Sequence, residues 1–444
     1  MTGEFNRRKF LQSSAAVGAA GAAPALMSSS VFAQSKGTLN FHGWSAAVDQ
    51  VKSHISAFEA KTGVKVAYST SPWAQYREGM ITKLVGKAPI DVMWVSDTWL
   101  PEWAAAGWLA PIDKYAQLTQ YNNTKEIDDF CVSSVTYAGK QYGLTYYSDY
   151  MAFIYDEEKL KRAGFSAPPK TWDEVVEQSI KIKQQGIAEF PLMMCMAQES
   201  WQIEYLSSLV YSFGGRYVND NGTAAMGDPK GGAVRAMQWL VDAVHKHKVV
   251  SPGCVELGEL NGLKAFTSGN HVFALMPNYR MRTINDPKQS QVAGKIRPAL
   301  MPTGGGHNQS NTVGWMRFYG MTPQAVANPE RLDASLKFME WFGGKADGDY
   351  KFQKLVFLDI GAGFGVKSLY ADPAIKAAYQ RYHDPSVVQQ QNALARKKDI
   401  ISPWFGEWNE VHAPGWQAAV LNKATPQSVL TRSADLWNKL RRKA

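Results

Sequence analysis

Three alternations of strand and helix between residues 38 and 109 limit the architectures open to this chain more than any other feature. Thr38 to Phe41 (TLNF) reads as a strand, followed at its tip by His42-Gly43-Trp44. Asp49 to Lys61 (DQVKSHISAFEAK) reads as an amphipathic helix with Val51, Ile55 and Phe58 on one face. Val64 to Tyr68 is a second strand and Trp73 to Leu84 a second helix, which Gly86 breaks. Ile90 to Val95 (IDVMWV) is an apolar run long enough for one buried strand. Ser96-Asp97-Thr98 forms its polar tip, and a helical run from Leu100 to Ala106 closes at Gly107. Repeated units of this kind predict an α/β fold, a mostly parallel sheet with helices on both faces. In such sheets ligands bind beyond the carboxyl ends of strands, so Asp97, flanked by Trp94, Trp99 and Trp103, is the first candidate site residue.

A second alternating unit occupies roughly residues 150 to 300. Met151 to Tyr155 (MAFIY) is a buried strand. Thr171 and Glu174 form a capping box for the helix that follows, and Phe190 to Met196 is a further strand. Trp201 to Phe213 and Pro229 to His245 read as helices, and Gly269 to Met276 contains a strand ending at Asn278-Tyr279-Arg280. The glycine-rich stretch Met301 to Asn311 is a return between lobes, and Thr312 to Met321 reads as one or two short strands. A helix spans Arg331 to Phe342. The tail holds the turn-rich 361–365, an aromatic loop from Pro403 to Trp408, and two last helices.

Residues 1–33 form an export leader. Arg7-Arg8 precede Phe10-Leu11 and an alanine-rich run, and Val31-Phe32-Ala33 is a small-x-small cleavage pattern with Gln34 as the mature start. The paired arginines match a twin-arginine leader, which places the mature protein in a periplasm. No other stretch is long and apolar enough to span a bilayer. The formal net charge of +9 is modest for 444 residues and includes Arg7, Arg8 and Lys9 of the leader. With no long basic tract, nucleic acid is not an expected partner. Cys131, Cys195 and Cys254 are far apart and allow at most one disulfide.

The chain carries no metal motif, no GxSxG and no phosphate-binding loop, so no catalytic residue, metal or cofactor is expected. A glycosidase needs two carboxylates across a cleft. Glu407, between Trp404 and Trp408, is the carboxylate that best fits that alternative. What abounds is aromatic residues beside polar strand tips: Trp44, Asp97-Thr98-Trp99, Tyr146-Tyr147, Asn278-Tyr279-Arg280, Trp315 and Trp404 to Trp408. Polar groups fix orientation while aromatic faces cover apolar surface, a combination suited to a sugar, whose ring has hydroxyl edges and C–H faces.

The ordered series NFHGWSAAVDQVKSHISAFEAKTGVKV, APIDVMWVSDTWLPEWAAAGWLAPI, YYSDYMAFIYDEEKLKRAGFSAPPKTWDEV and ANPERLDASLKFMEWF resembles the extracellular solute-binding proteins of bacterial ABC importers, in the family that contains the maltose/maltodextrin-binding protein. The resemblance covers most of the mature chain. It implies two α/β lobes joined by a hinge, with the solute in the cleft between them. The first lobe would comprise 34–147 and 312–358, the second 148–311 and 359–444 with the C-terminal helices. The implied ligand-binding residues are Trp44, Asp97, Thr98, Trp99, Tyr147, Trp201, Asn278, Arg280, Trp315, Phe364, Trp404 and Glu407. Arg280 or Arg317 would meet an acid group if the solute carries one. The implied partners are a sugar-like solute and a membrane permease with its ATPase, bound by a monomer. The alternatives are an exported carbohydrate-active enzyme, or a binding protein for a polyamine, peptide or organic anion.

Overall fold

A computed structural model describes residues 37–382 and 385–443, so the leader lies outside the described residues. Nine strands form one continuous mixed sheet, with the path β2-β1-β3-β10-β6-β8-β7. The strands are β1 (Thr38–Trp44), β2 (Lys65–Ser71), β3 (Val92–Ser96), β4 (Thr136–Tyr137), β5 (Lys140–Gln141), β6 (Gly143–Asp156), β7 (Leu192–Met193), β8 (Phe273–Pro277), β9 (Ile296–Ala299), β10 (Thr312–Met321) and β11 (Ala395–Arg396). β4 and β5 form a separate two-stranded hairpin.

The first alternation folds as its periodicity requires. In the helix Val48–Thr62, residues Val51, His54, Ile55 and Phe58 are buried at three- and four-residue spacing. Gly63 ends that helix at φ 73°, a left-handed conformation that costs glycine little. β1 runs parallel to β2 and β3, so the tips of all three point the same way.

The expectation of a mostly parallel sheet does not hold beyond β3. β10 is antiparallel to both β3 and β6, and β6 is antiparallel to β8 and β9. The expected one or two short strands at 312–321 are a single ten-residue strand with every residue buried. It lies between β3 and β6 in the middle of the sheet. β6 is far longer than its apolar core Met151–Tyr155 suggested. Its first half, to Tyr150, pairs with β10, and from Met151 it pairs with β8 and β9. Two strands thus carry the sheet from one half of the molecule to the other. The two-lobed architecture follows from that change of partners.

Two local readings change. Phe190 to Met196 contributes only the two residues of β7, and past them the chain leaves the sheet, with Met196 N donating to Cys254 O at 2.9 Å. The aromatic stretch at 404–408 belongs not to a loop but to a helix, Phe405–Val420, which continues through Pro414. The capping box forms in a shifted version, with Glu174 reaching back one residue past the N-cap. Thr171 Oγ1 accepts from Glu174 N at 3.1 Å, and Glu174 Oε2 accepts from Lys170 N at 2.6 Å. All three cysteines are buried free thiols.

Candidate functional site

Strand β3 delivers the centre of the site. Its last residue, Ser96, caps the short turn Asp97–Trp99, and Asp97 is completely buried beneath it. Asp97 Oδ1 accepts from Thr98 N at 2.8 Å, Arg317 Nη1 at 3.0 Å and Ser96 Oγ at 3.1 Å. Oδ2 accepts from Met316 N at 3.3 Å and lies 3.5 Å from Lys398 Nζ. Lys398 Nζ in turn donates to Glu204 Oε1 at 3.1 Å. Four charged side chains from the turn after β3, from β10, from the helix Gln202–Ser212 and from the tail therefore form one buried network.

Burial by itself opposes the charged form of Asp97, but Lys398 and Arg317 outweigh it and hold the carboxyl below its usual range. Burial has the upper hand at Glu204, whose pKa is raised despite the same two cations. The pairing register of β6 and β10 shifts between Arg317 and Phe318. Irregularities of this kind re-aim side chains and recur beside functional sites.

A cavity of about 300 Å³ opens beside this network. Its aromatic walls are Trp73, Trp99 and Trp201, with Phe405 at the edge. Trp73 stacks on Trp99 with ring centroids 5.2 Å apart, and the Arg317 guanidinium lies 5.0 Å from the Trp73 ring centre. Polar groups reach the same space from Ser96, Thr98, Glu102, Ser200, Glu204, Arg317 and Asn409. Trp73 follows β2, whereas Ser200 precedes the helix Gln202–Ser212 of the other half; Trp73 Nε1 donates to Ser200 Oγ at 3.3 Å. The cavity is thus built from both halves, at the carboxyl ends of β2 and β3, where the topology of an open sheet places a ligand.

A larger cavity, about 750 Å³, lies away from the tips of β2 and β3, against β9 and the loop 167–170. It has no comparable meeting of aromatic faces with buried charge, so the smaller cavity is the candidate site.

The structure brings Thr98, Trp99 and Trp201 to the cavity wall, with Asp97 directly behind it. The other expected ligand contacts lie outside that wall. Trp44 is packed among Trp73, Tyr76, Trp94 and Tyr146. Trp315 is fully buried edge-to-face with Trp201, and Tyr147 packs edge-on against Tyr146. Asn278 Oδ1 accepts from Tyr150 Oη at 3.3 Å. Arg280 is held bidentately by the buried Glu259, at 2.7 and 2.9 Å, so it is not free for an acid group on a solute. Phe364 packs with Phe357, Tyr370 and Tyr379, and Trp404 against Trp437. Glu407 is exposed in the first turn of the helix Phe405–Val420.

Trp73, Ser200, Glu204 and Lys398 were not among the residues expected at the site. Only the tryptophan had a signal of its own, an aromatic side chain just past a strand.

Residues 42–349 match the bacterial extracellular solute-binding protein family, and residues 4–24 match the twin-arginine translocation signal sequence. A Brucella abortus (strain 2308) chain named as a binding protein is 22% identical over 382 residues, 85% of this chain and 86% of that one. Among solved structures, maltose-bound MalE3 of T. maritima superposes with a TM-score of 0.77 at 22% identity, covering 91% of this chain and 99% of the other. A Thermotoga lettingae ABC transporter solute-binding protein bound with α-D-tagatose superposes at 0.73 with 20% identity, covering 90% and 99%.

Proposed function

This chain belongs to the bacterial extracellular solute-binding protein family, and we propose that it captures a sugar or sugar derivative in the Trp73–Trp99–Trp201 cavity and delivers it to an ABC permease. The observation that carries this reading is the make-up of that cavity: tryptophan faces from both halves of the molecule, interleaved with hydroxyl, carboxylate and guanidinium groups. Aromatic faces cover the C–H surfaces of a sugar ring, and the polar groups meet its hydroxyls. The fold neighbours that hold maltose and tagatose support the same class.

The twin-arginine signal and the family place the protein in the periplasm. Its partners are the solute and, at the inner membrane, the permease with its ATPase. The protein works as a monomer. The lobes comprise 34–147 with 312–358, and 148–311 with 359–444. The partner change of β6 after Tyr150 supports a crossing near the first of these boundaries.

Thr98, Trp99 and Trp201 contact the solute, joined by Trp73, Ser200, Glu204 and Arg317. Asp97 acts through Arg317, which it fixes. The protein performs no catalysis: family members and fold neighbours are binding proteins, and Glu407 stands apart from the cavity wall.

A thermal-shift screen over sugars, polyols, sugar acids, polyamines and peptides tests this reading, since a ligand that binds only the folded state raises the melting midpoint. Sugars or polyols are expected to shift it. A shift with polyamines or peptides alone would overturn the carbohydrate assignment.

A further inference from the structure

Lys398 is completely buried between a carboxylate from each half of the molecule. Its Nζ lies 3.5 Å from Asp97 Oδ2, in the turn after β3, and donates at 3.1 Å to Glu204 Oε1, in the helix Gln202–Ser212. Its neighbours in the chain are anchored on both sides. Lys397 Nζ donates to Ser133 O of the first half at 2.7 Å. Asp399 accepts from Tyr211 Oη at 2.9 Å and from Tyr217 N at 2.8 Å in the second. Just before them, Ala395–Arg396 pairs with the start of β10. The segment 395–399 is therefore a strap fastened to both halves, with a buried cation near its end.

Both carboxylates stand directly behind the aromatic walls of the cavity. Trp99 follows Asp97 within one short turn, and Trp201 precedes Glu204 by one helical turn. Trp73 stacks on Trp99 and reaches Ser200 across the gap. The separation of the two carboxylates thus sets the separation of the walls. With the lysine between them they are drawn together; without it they are like charges in one buried space. Arg317 bonds to Asp97, whereas Glu204 has its ion pair from Lys398. Removing Lys398 therefore strands Glu204. A stranded buried charge normally costs stability. Here it has a second outlet, because drawing the halves apart admits water to Glu204 while the core of each half stays intact.

We propose that Lys398 is a positioning residue for solute capture: it ties Asp97 to Glu204 and so holds the Trp99 wall against the Trp201 wall. Without the tie, fewer molecules have their walls apposed, and solute affinity falls in proportion to that population. The consequence for capture rests on the cavity being the solute site, whereas the effect on the two halves depends on no solute.

The test measures the separation of the halves in the mature protein without solute. Val85, 57% exposed at the end of the helix Trp73–Val85, and Leu260, 59% exposed in the helix Glu259–Thr267, lie in different halves. Val85→Cys and Leu260→Cys carry nitroxide labels, while the three native thiols are buried and stay unlabelled. Pulsed dipolar spectroscopy reads the distance between the labels. Lys398→Met, which keeps a long unbranched side chain, is expected to shift the distribution to longer distances. Adding Glu204→Gln removes the stranded charge and should bring the distribution back toward that of the parent. A lysine that only filled space would show neither change. A parental distribution in K398M overturns the proposal, and so does a K398M/E204Q protein as displaced as K398M. Should K398M fail to fold, E204Q decides alone: it weakens the tie to the second half and should broaden the distribution toward longer distances, and a parental distribution there overturns the proposal. Since no solute enters the measurement, its failure is distinct from that of the carbohydrate reading, which the melting screen decides.

Discussion

Arg317 Nη1 donates to Asp97 Oδ1 at 3.0 Å inside the protein, joining the middle of β10 to the tip of β3. The pair is buried on both sides and shares its carboxylate with Lys398. Removing one member of such a pair leaves charge buried without compensation, which typically costs about 3–5 kcal/mol. Asp97→Asn strands Arg317 and leaves Lys398 with Glu204 as its one carboxylate partner. Urea unfolding is expected to show a loss in that range, with solute affinity falling as the guanidinium loses its fixed position. A variant as stable as the parent would mean that the network is not formed.

Trp73 and Trp44 are in edge-to-face contact with centroids 5.2 Å apart, yet they have different roles. Trp73 faces the cavity and Trp44 the core. Trp73→Ala should weaken solute binding by about tenfold or more, the scale of losing an aromatic stacking face. Trp44→Phe should lower the melting temperature through lost packing while leaving affinity within about twofold. Calorimetric titration and thermal melts on both variants separate the two roles, and the reverse pattern would move the site.

The three cysteines give a chemical check on the core. Each is buried, and burial pushes the thiols of Cys195 and Cys254 up to about 12, with Cys131 raised as well. Thiolate is the reactive form, so the native protein should resist an alkylating reagent at neutral pH. All three should react once the chain is unfolded. Rapid labelling of the native protein at any of them, read by mass spectrometry, would contradict the packing described.

Stability should also fall toward acid. Burial depresses the pKa of His42 and His54 to about 4 and that of His412 to about 3. The unfolded chain binds protons at these rings below about pH 6.5, while the folded state does not until about pH 4. Each ring therefore contributes stability that is lost as pH falls through that window. Asp149 acts in the opposite sense. Its folded pKa is raised by burial to about 7, so it costs stability as pH rises from about 4 to 7. Asp149→Asn should thus make the acid loss steeper, and His412→Gln should make it shallower. Denaturant midpoints between pH 5 and 7.5 measure both, and unchanged slopes would contradict these assignments.

Much of this arrangement was legible in the sequence because it is local. Strand–helix alternation located β1, β2 and β3, and a polar tip after an apolar strand marked Thr98 and Trp99. Trp201 was legible as an aromatic residue at a helix start. Arg317 was singled out only as a partner for an acid group on the solute, and its place in the buried network, like that of Glu204, was hidden for a physical reason. Each sits in an apolar element whose pattern speaks only of burial, and their partners are far off in sequence. Arg317 meets Asp97 across 220 residues, and Lys398 meets Glu204 across 194. A mixed sheet hides its antiparallel centre in the same way, since β10 joins β3 and β6 from the far side of the second lobe. The stretch 404–408 was misread because Pro403 and Gly406 are turn residues, whereas the helix Phe405–Val420 starts just past the proline and carries the glycine in its first turn.

The most direct test of the account is calorimetric titration of the purified protein and of its Trp73→Ala variant with the sugar or polyol that raises its melting temperature most. The account predicts one solute per chain in the parent and a loss of about tenfold or more in affinity in the variant. Equal affinity in both proteins, or no binding of any sugar or polyol by the parent, would contradict it.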